Sequence, residues 1–274
     1  MKAKLLFILL FVLIAGLLSS YATAPENHQG LQLSKYKLDL IYTADFSKPL
    51  DVIYENDLFE AGKRVRKPQN CEWVFEGKGK PYTTDGELIV VNKGSHVVLW
   101  NTRTFPEDFL LELTFSLENS NNGLAIIFFC TTGKGGGDIF DYDQPYRNGN
   151  FRTYTLGQLD CYHVSYWSGN PRKDGRILTN LRKNHGSNVV SNGPDLFSGK
   201  GPGPHTVRLL KVGNRIQVEE AGRTVVDYTD EGSINGKVYG EGLIGLRTME
   251  HSQKITYTDM KVYKVSRKNK LKLS

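Results

Sequence analysis

Cysteine is scarce in this sequence, and the scarcity is informative. The 274 residues contain three cysteines, Cys71, Cys130 and Cys161. Three can close at most one disulfide, and these lack metal-ligand spacing, so a disulfide scaffold is excluded. Cys130 ends the apolar run LAIIFFC and reads as a buried thiol. Blocks of like charge are missing too. The formal net charge is +6, two units of it from Lys2 and Lys4. No run of Lys and Arg resembles a nucleic-acid-binding arm, so nucleic acid is not an expected partner. The modest basic excess instead suits an anionic ligand. No helix-length apolar pattern follows the first 24 residues, no internal repeat is visible, and no low-complexity linker divides the chain.

Several site motifs are also incomplete. The string GKGGG at 133–137 lacks the G-x-x-x-x-G-K-[ST] order of a phosphate loop and reads as a flexible connection. Asp138, Asp141 and Asp143 do not complete an EF-hand loop, and its terminal Glu is missing. A structural calcium in this acidic loop is the one metal the sequence leaves room for, and no cofactor is required. The E-x-D-x-x-E strand of sandwich glycosidases is absent as well. Glu112 shares its strand face with Thr114 and Ser116 rather than with the second carboxylate that glycoside hydrolysis needs.

One long apolar run does occur. Lys2 and Lys4 precede an apolar stretch over 5–18, which ends in the small-x-small pattern Ala22-Thr23-Ala24. That layout is a secretory signal covering residues 1–24, and the run falls short of the roughly 20 apolar residues of a membrane span. The expectation is a periplasmic or secreted protein without a membrane partner after cleavage. Residues 25–50 read as a leader with an early strand, 51–265 as one β-sandwich, and 266–274 as a basic tail. A mature chain of that length can bury a sizeable core.

Strand patterns fill the rest. Phe109, Leu111, Leu113 and Phe115 share one face of a period-two segment, and Leu110, Glu112, Thr114 and Ser116 share the other. LAIIFFC is apolar on both faces and belongs in the middle of a sheet covered on both sides. Gly77, Gly79 and Pro81 mark a turn, and 87–91 and 96–101 read as two strands around a turn at 92–94. Further strands are expected over 205–211, 215–220, 223–228, 242–247 and 254–265. The fold class is all-β, a sandwich of two antiparallel sheets.

The segment 138–195 departs from this background, with Tyr, His, Arg, Lys and Asn interleaved with turn residues. If 159–167 is a strand, Cys161, His163, Ser165 and Trp167 project to one face and Asp160, Tyr162, Val164 and Tyr166 to the other. The Trp167 indole would offer a flat platform for a sugar ring, and His163 could exchange a proton near neutral pH. The bland alternative for His163 is a buried structural histidine. In a neighbouring strand over 179–184, Asn180, Arg182 and Asn184 share a face, with Lys183 opposite. The Arg182 fork fits a carboxylate or sulfate; otherwise Arg182 and Lys183 form a solvated edge. His185 is either a second catalytic group or a turn residue. A long loop supplies Tyr142, Tyr146, Arg147, Arg152 and Tyr154. Tyr146 or Tyr154 becomes an acid or base if a nearby cation lowers its pKa, and Arg152 and Tyr166 are further substrate contacts. This set suits β-elimination from a uronate. Arg182 and Asn180 would neutralise the carboxylate, while His163 and a tyrosine would move the protons at C5 and C4.

The strings GQLDCYHVSY (157–166), NLRK (180–183) and VSNGPD (190–195) resemble a bacterial domain family formerly of unknown function. That family lies within the concanavalin A-like lectin/glucanase superfamily, and the resemblance runs over 51–265. It implies a jelly-roll sandwich. Within the family the chain resembles the ulvan oligosaccharide dehydratase type, which removes water from a non-reducing-end uronate to leave a 4,5-unsaturated sugar. The function so implied is a carbon–oxygen lyase acting on acidic, uronate-containing and in some cases sulfated oligosaccharides. His163, Tyr166, Asn180 and Arg182 fall inside the matching strings. The alternatives are an endo-acting polysaccharide lyase, a non-catalytic carbohydrate-binding protein and a glycoside hydrolase.

Overall fold

The computed structural model describes residues 29–117, 123–168 and 178–268. The expected signal peptide lies outside the described residues, as does most of the basic tail. In chain order the strands are β1 (Tyr36–Thr43), β2 (Val52–Tyr54), β3 (Phe59–Glu60), β4 (Lys63–Arg64), β5 (Trp73–Thr84), β6 (Glu87–Asn101), β7 (Phe109–Ser116) and β8 (Gly123–Gly133). A five-residue helix, α1 (Phe151–Thr155), precedes β9 (Leu159–Ser168), β10 (Leu178–Asn184), β11 (Asn188–Pro194) and β12 (His205–Val212). The chain closes with β13 (Arg215–Glu220), β14 (Arg223–Thr229), β15 (Leu243–Thr248) and β16 (Lys254–Arg267).

The front sheet runs β11-β10-β9-β8-β15-β6, and the back sheet runs β6-β16-β7-β12-β13-β14. Strand β6 belongs to both. Its Leu88–Val91 half pairs with β16 and its Val97–Trp100 half with β15. The expected pair of strands with a turn at 92–94 is therefore one bent strand. Likewise Gly77, Gly79 and Pro81 do not turn the chain; they lie inside β5, where the register against β6 shifts between Gly77 and Gly79. Glycine is needed at that bend. A Cβ on Gly77 would sit 2.4 Å from the His96 carbonyl oxygen, and one on Gly79 would sit 2.2 Å from that of Val91.

The alternation in β7 places its apolar face as the sequence indicates. Phe109, Leu111, Leu113 and Phe115 enter the core between the sheets with Ile127, Phe129, Val164, Tyr166, Tyr257 and Val262. Leu110 packs on the opposite side with Tyr36 and Val265. Each such buried side chain stabilises the fold by about 1.5–3 kcal/mol. Strand β8 is covered on both faces, as its composition predicts. Ala125, Ile127 and Phe129 face the inter-sheet core, while Ile126 and Phe128 join a second cluster with Trp100, Tyr154 and Cys161. That cluster lies on the outer face of the front sheet, beneath the segment 134–158. The segment thus roofs half of this face and leaves the other half open.

Candidate functional site

The open half is set by cross-strand register. In one row Arg247 of β15 opposes Ile126 of β8, Ile126 opposes Ser165 of β9, and Ser165 opposes Asn180 of β10. In the next, Phe128 opposes His163 and His163 opposes Arg182. With adjacent strands about 4.8 Å apart, the row from Arg247 to Asn180 spans roughly 15 Å. Between these residues lies a groove of about 290 Å³, also bordered by Phe151 and Met249.

The charges in this groove are unbalanced. Arg182 donates to the Ser187 carbonyl at 2.9 Å, and Arg247 donates to the Gly149 carbonyl at 3.1 Å and to the Met249 sulfur. Among the described residues no carboxylate borders the groove. Burial lowers the Arg182 pKa and takes that of the fully buried Arg247 down to about 10. The Phe151 ring sits 4.9 Å from the Arg247 guanidinium, a contact worth about 0.5–2 kcal/mol that offsets only part of the burial. His163 exposes 0 % of its surface. Burial first, then Arg182 and Arg247, hold its pKa well below the ordinary imidazole value, so the ring is neutral. Its Nδ1 lies 2.8 Å from the Asn184 amide nitrogen.

The other predicted site residues are elsewhere. Asn180 borders the groove and donates to the Leu178 carbonyl at 3.0 Å. Tyr166, expected to contact substrate, is buried in the inter-sheet core on the opposite face of β9, 4.9 Å from the Phe115 ring centre. Tyr154 is fully buried; its phenol donates to Glu76 at 2.6 Å and accepts from the Gly149 N–H at 2.9 Å. Burial and the Glu76 carboxylate push its pKa well up, the reverse of the cation-driven lowering that an acid–base role requires. Tyr146 is raised as well, by burial and then by Glu55 and Glu76. Its phenol donates to Asn56, and its ring packs edge-on to Phe59, away from the groove. His185 is half-buried with Nδ1 3.0 Å from the Gly157 carbonyl, and Arg152 is exposed on α1; neither borders the groove. The side chain of Trp167 lies outside the described residues. Lys183 is no solvated edge: its ammonium is buried against Asp230 at 2.7 Å.

Two features escaped the sequence reading. Arg247 comes from β15, far along the chain. Phe151 comes from the helix inside the roofing segment, which a buried ionic network fixes. Arg147 donates to Glu76 at 2.8 Å and to the Ile139 carbonyl at 2.9 Å, and Arg64 pairs with Glu55 at 2.7 Å. A buried pair of this kind contributes little net stability, but removing one partner is strongly destabilising. In the acidic loop, the Lys67 ammonium reaches Asp138 at 3.4 Å and Asp141 at 3.0 Å. A calcium there would have to displace it, and among the described residues no group of three or more His, Cys, Asp or Glu could hold a metal. A larger cavity of about 930 Å³ opens beyond the other end of β8, with Thr102, Glu107, Lys237, Tyr239 and Glu241 on its walls. It holds none of the predicted catalytic or substrate-binding residues; of the acidic loop, Asp138 lines it.

Two bent antiparallel sheets, with a half-roofed outer face, make this a galectin-like jelly roll of the concanavalin A-like class. The structure of a protein of unknown function with galectin-like fold from Bacillus subtilis matches with a TM-score of 0.68 at 25% identity, over 85% of this chain and 100% of that one. The carbohydrate recognition domain of Emp47p matches in fold alone, with a TM-score of 0.50 at 15% identity over 82% of this chain and 97% of that one. The chain belongs to the family described as Domain of unknown function (DUF1961), whose model matches residues 51–262. A further relative is the uncharacterized protein YesU of Bacillus subtilis (strain 168), 29% identical over 202 residues, or 72% of this chain and 91% of that protein.

These findings overturn the lyase reading. The likeness at 25% identity is to a galectin-like fold, and among the described residues no group of three or more His, Cys, Asp or Glu could hold a catalytic metal. The groove chemistry agrees: elimination needs an acid and a base at C4 and C5, yet the imidazole that borders the groove, His163, is buried and held neutral well below its ordinary pKa. Neither expected tyrosine borders it. Among the described residues the groove also lacks the two carboxylates of glycoside hydrolysis.

Proposed function

We propose that the protein is a non-catalytic carbohydrate-binding protein, and that the outer face of its front sheet takes an acidic oligosaccharide. One observation carries this reading: two arginines, one of them fully buried, border an open groove in which no carboxylate of the described residues balances them. An anionic sugar substituent would supply the missing countercharge. Asn180 and Ser165 would bond ring hydroxyls, and the half-buried Phe151 would lie against an apolar sugar face. The galectin-like fold supports carbohydrate as the ligand class. A uronate carboxylate and a sulfate ester both fit the guanidinium geometry. The signal-like start of the sequence supports a periplasmic or secreted site of action.

Titration calorimetry of the mature chain against neutral and acidic oligosaccharides tests this reading, with chromatography of the sugars afterwards. The expected result is saturable binding that favours acidic sugars, with every sugar recovered unchanged. Failure to bind any sugar, or recovery of shortened or unsaturated products, would refute it. Arg182→Ala should weaken acidic binding about tenfold, the loss of one charge-assisted contact.

A further inference from the structure

We infer that the groove floor is a two-donor anion subsite, built from the His163 Nε2–H and the Arg247 Nε–H. It takes an oxygen of a carboxylate or sulfate ester carried by the sugar, an assignment that rests on the carbohydrate-binding reading above.

The tautomer follows from Asn184. This residue stands two positions after Arg182 on β10 and opposes Cys161. Its amide nitrogen lies 2.8 Å from His163 Nδ1 and 3.3 Å from the Cys161 sulfur. With the amide nitrogen facing the ring, its NH₂ donates, Nδ1 accepts and the ring proton sits on Nε2, the assignment that the nitrogen-15 spectra below test. That Nε2 is buried without a partner, and so is the Nε of Arg247. Buried N–H groups in folded proteins are nearly always paired. Two unpaired donors beside one groove point to an acceptor that belongs between them.

Charge narrows the acceptor's chemistry. A hydroxyl could accept from either donor, but it would leave Arg182 and Arg247 without a counterion. An anionic oxygen answers both needs. The neutrality of His163 also fits, since a third positive charge between two guanidiniums would be unfavourable while an uncharged donor is not. Phe151 covers both groups, with its ring edge-on to His163 at 5.5 Å and 4.9 Å from the Arg247 guanidinium. A ligand reaches the donors by turning that ring aside.

The positions of both donors are fixed from behind. Asn184 holds the imidazole, and Arg247 is tied to the Gly149 carbonyl at 3.1 Å. The Gly149 N–H donates to the Tyr154 phenol, which donates to Glu76. Asn184, Tyr154 and Glu76 are therefore positioning residues.

The test uses the mature chain and three probes: a disaccharide ending in glucuronate, its glucose counterpart, and that glucose disaccharide carrying one sulfate ester. The expected result is that at least one anionic probe binds tenfold or more tighter than the neutral one; the tighter anion names the natural substituent. His163→Phe and Arg247→Met should each weaken anion binding by about tenfold or more, and narrow the preference for the anionic over the neutral disaccharide. Nitrogen-15 spectra of the wild-type imidazole give a second readout independent of the variants' folding. They should show the proton on Nε2, with that signal shifting on addition of the anionic probe. Anion binding that survives both substitutions, or a proton found on Nδ1, overturns the subsite while leaving the carbohydrate reading intact. Failure of all three disaccharides to bind the wild type overturns both.

Discussion

Replacing Arg247 with methionine (R247M) removes a charge while keeping an unbranched apolar stem of similar reach. Burial lowers this guanidinium's pKa from its ordinary 12.5 to about 10, which corresponds to about 3 kcal/mol against the charged form at neutral pH. The substitution relieves that penalty. It forfeits the bond to the Gly149 carbonyl and the weaker one to the Met249 sulfur, together about 1 kcal/mol, and the contact with Phe151, about 1 kcal/mol more. R247M should therefore be more stable than wild type by about 1 kcal/mol, raising the melting temperature by about 2–4 °C in a chain of this size. Urea unfolding at pH 7 measures the difference directly. In the presence of an acidic oligosaccharide at a hundred times its dissociation constant, wild type should gain about 2.7 kcal/mol and R247M much less. A variant that binds poorly yet folds better is the signature of a charge kept for a ligand. If R247M loses 2 kcal/mol or more without ligand, the guanidinium is already balanced inside the fold and the reasoning fails.

Tyr154→Phe removes a phenol that bridges Glu76 and Gly149; it should cost about 1–3 kcal/mol in urea unfolding, and a loss under about 0.5 kcal/mol would contradict the tether. Glu220 gives a pH signature. Burial, then Asp195, raise its carboxyl above the ordinary 4.5, so the folded state holds this proton at pH values where the unfolded state has released it. Stability should be full below about pH 4.5 and fall as pH rises toward the raised value. Glu220→Gln should flatten that slope in unfolding series from pH 4 to 9, and an unchanged slope would assign the dependence to other groups. The three thiols are unpaired, and burial raises Cys71 to about 11 and Cys130 and Cys161 to about 12. A thiol reagent at pH 8 should react slowly with the native protein and with all three on unfolding. Rapid reaction at two sites would show an opening that the structure lacks.

The sequence pattern carried the sheets further than it carried the site. Period-two alternation in β7 and the two-sided apolar run in β8 predicted which faces are buried, because burial on one or both faces leaves a direct compositional trace. Alternation along β9 likewise separated His163 and Ser165 from Tyr162, Val164 and Tyr166. The same rule placed Tyr166 opposite His163, so its expected substrate contact conflicted with its own strand. Depth was not legible. A histidine flanked by Tyr162 and Val164 looks the same in sequence whether it opens to solvent or lies under Phe151. The two glycines in β5 suggest a turn because glycine serves bends and turns alike; only the close approach of the His96 and Val91 carbonyls distinguishes them. Tyr154 and Arg147 looked like loop residues free to meet substrate. Their partner Glu76 lies in β5, more than 70 positions earlier, and nothing local marks that pairing. Arg247 escaped for the same reason, since its neighbours across the sheet come from distant segments.

The most direct measurement is a crystal structure of residues 25–274 grown with a glucuronate-terminated disaccharide. The account predicts an intact sugar in the groove beside Phe151, Asn180 and Arg182, with one carboxylate oxygen within roughly 3 Å of His163 Nε2 and Arg247 Nε. A sugar bound instead in the cavity walled by Glu107, Lys237 and Glu241, or an unsaturated ring in the groove, would contradict it.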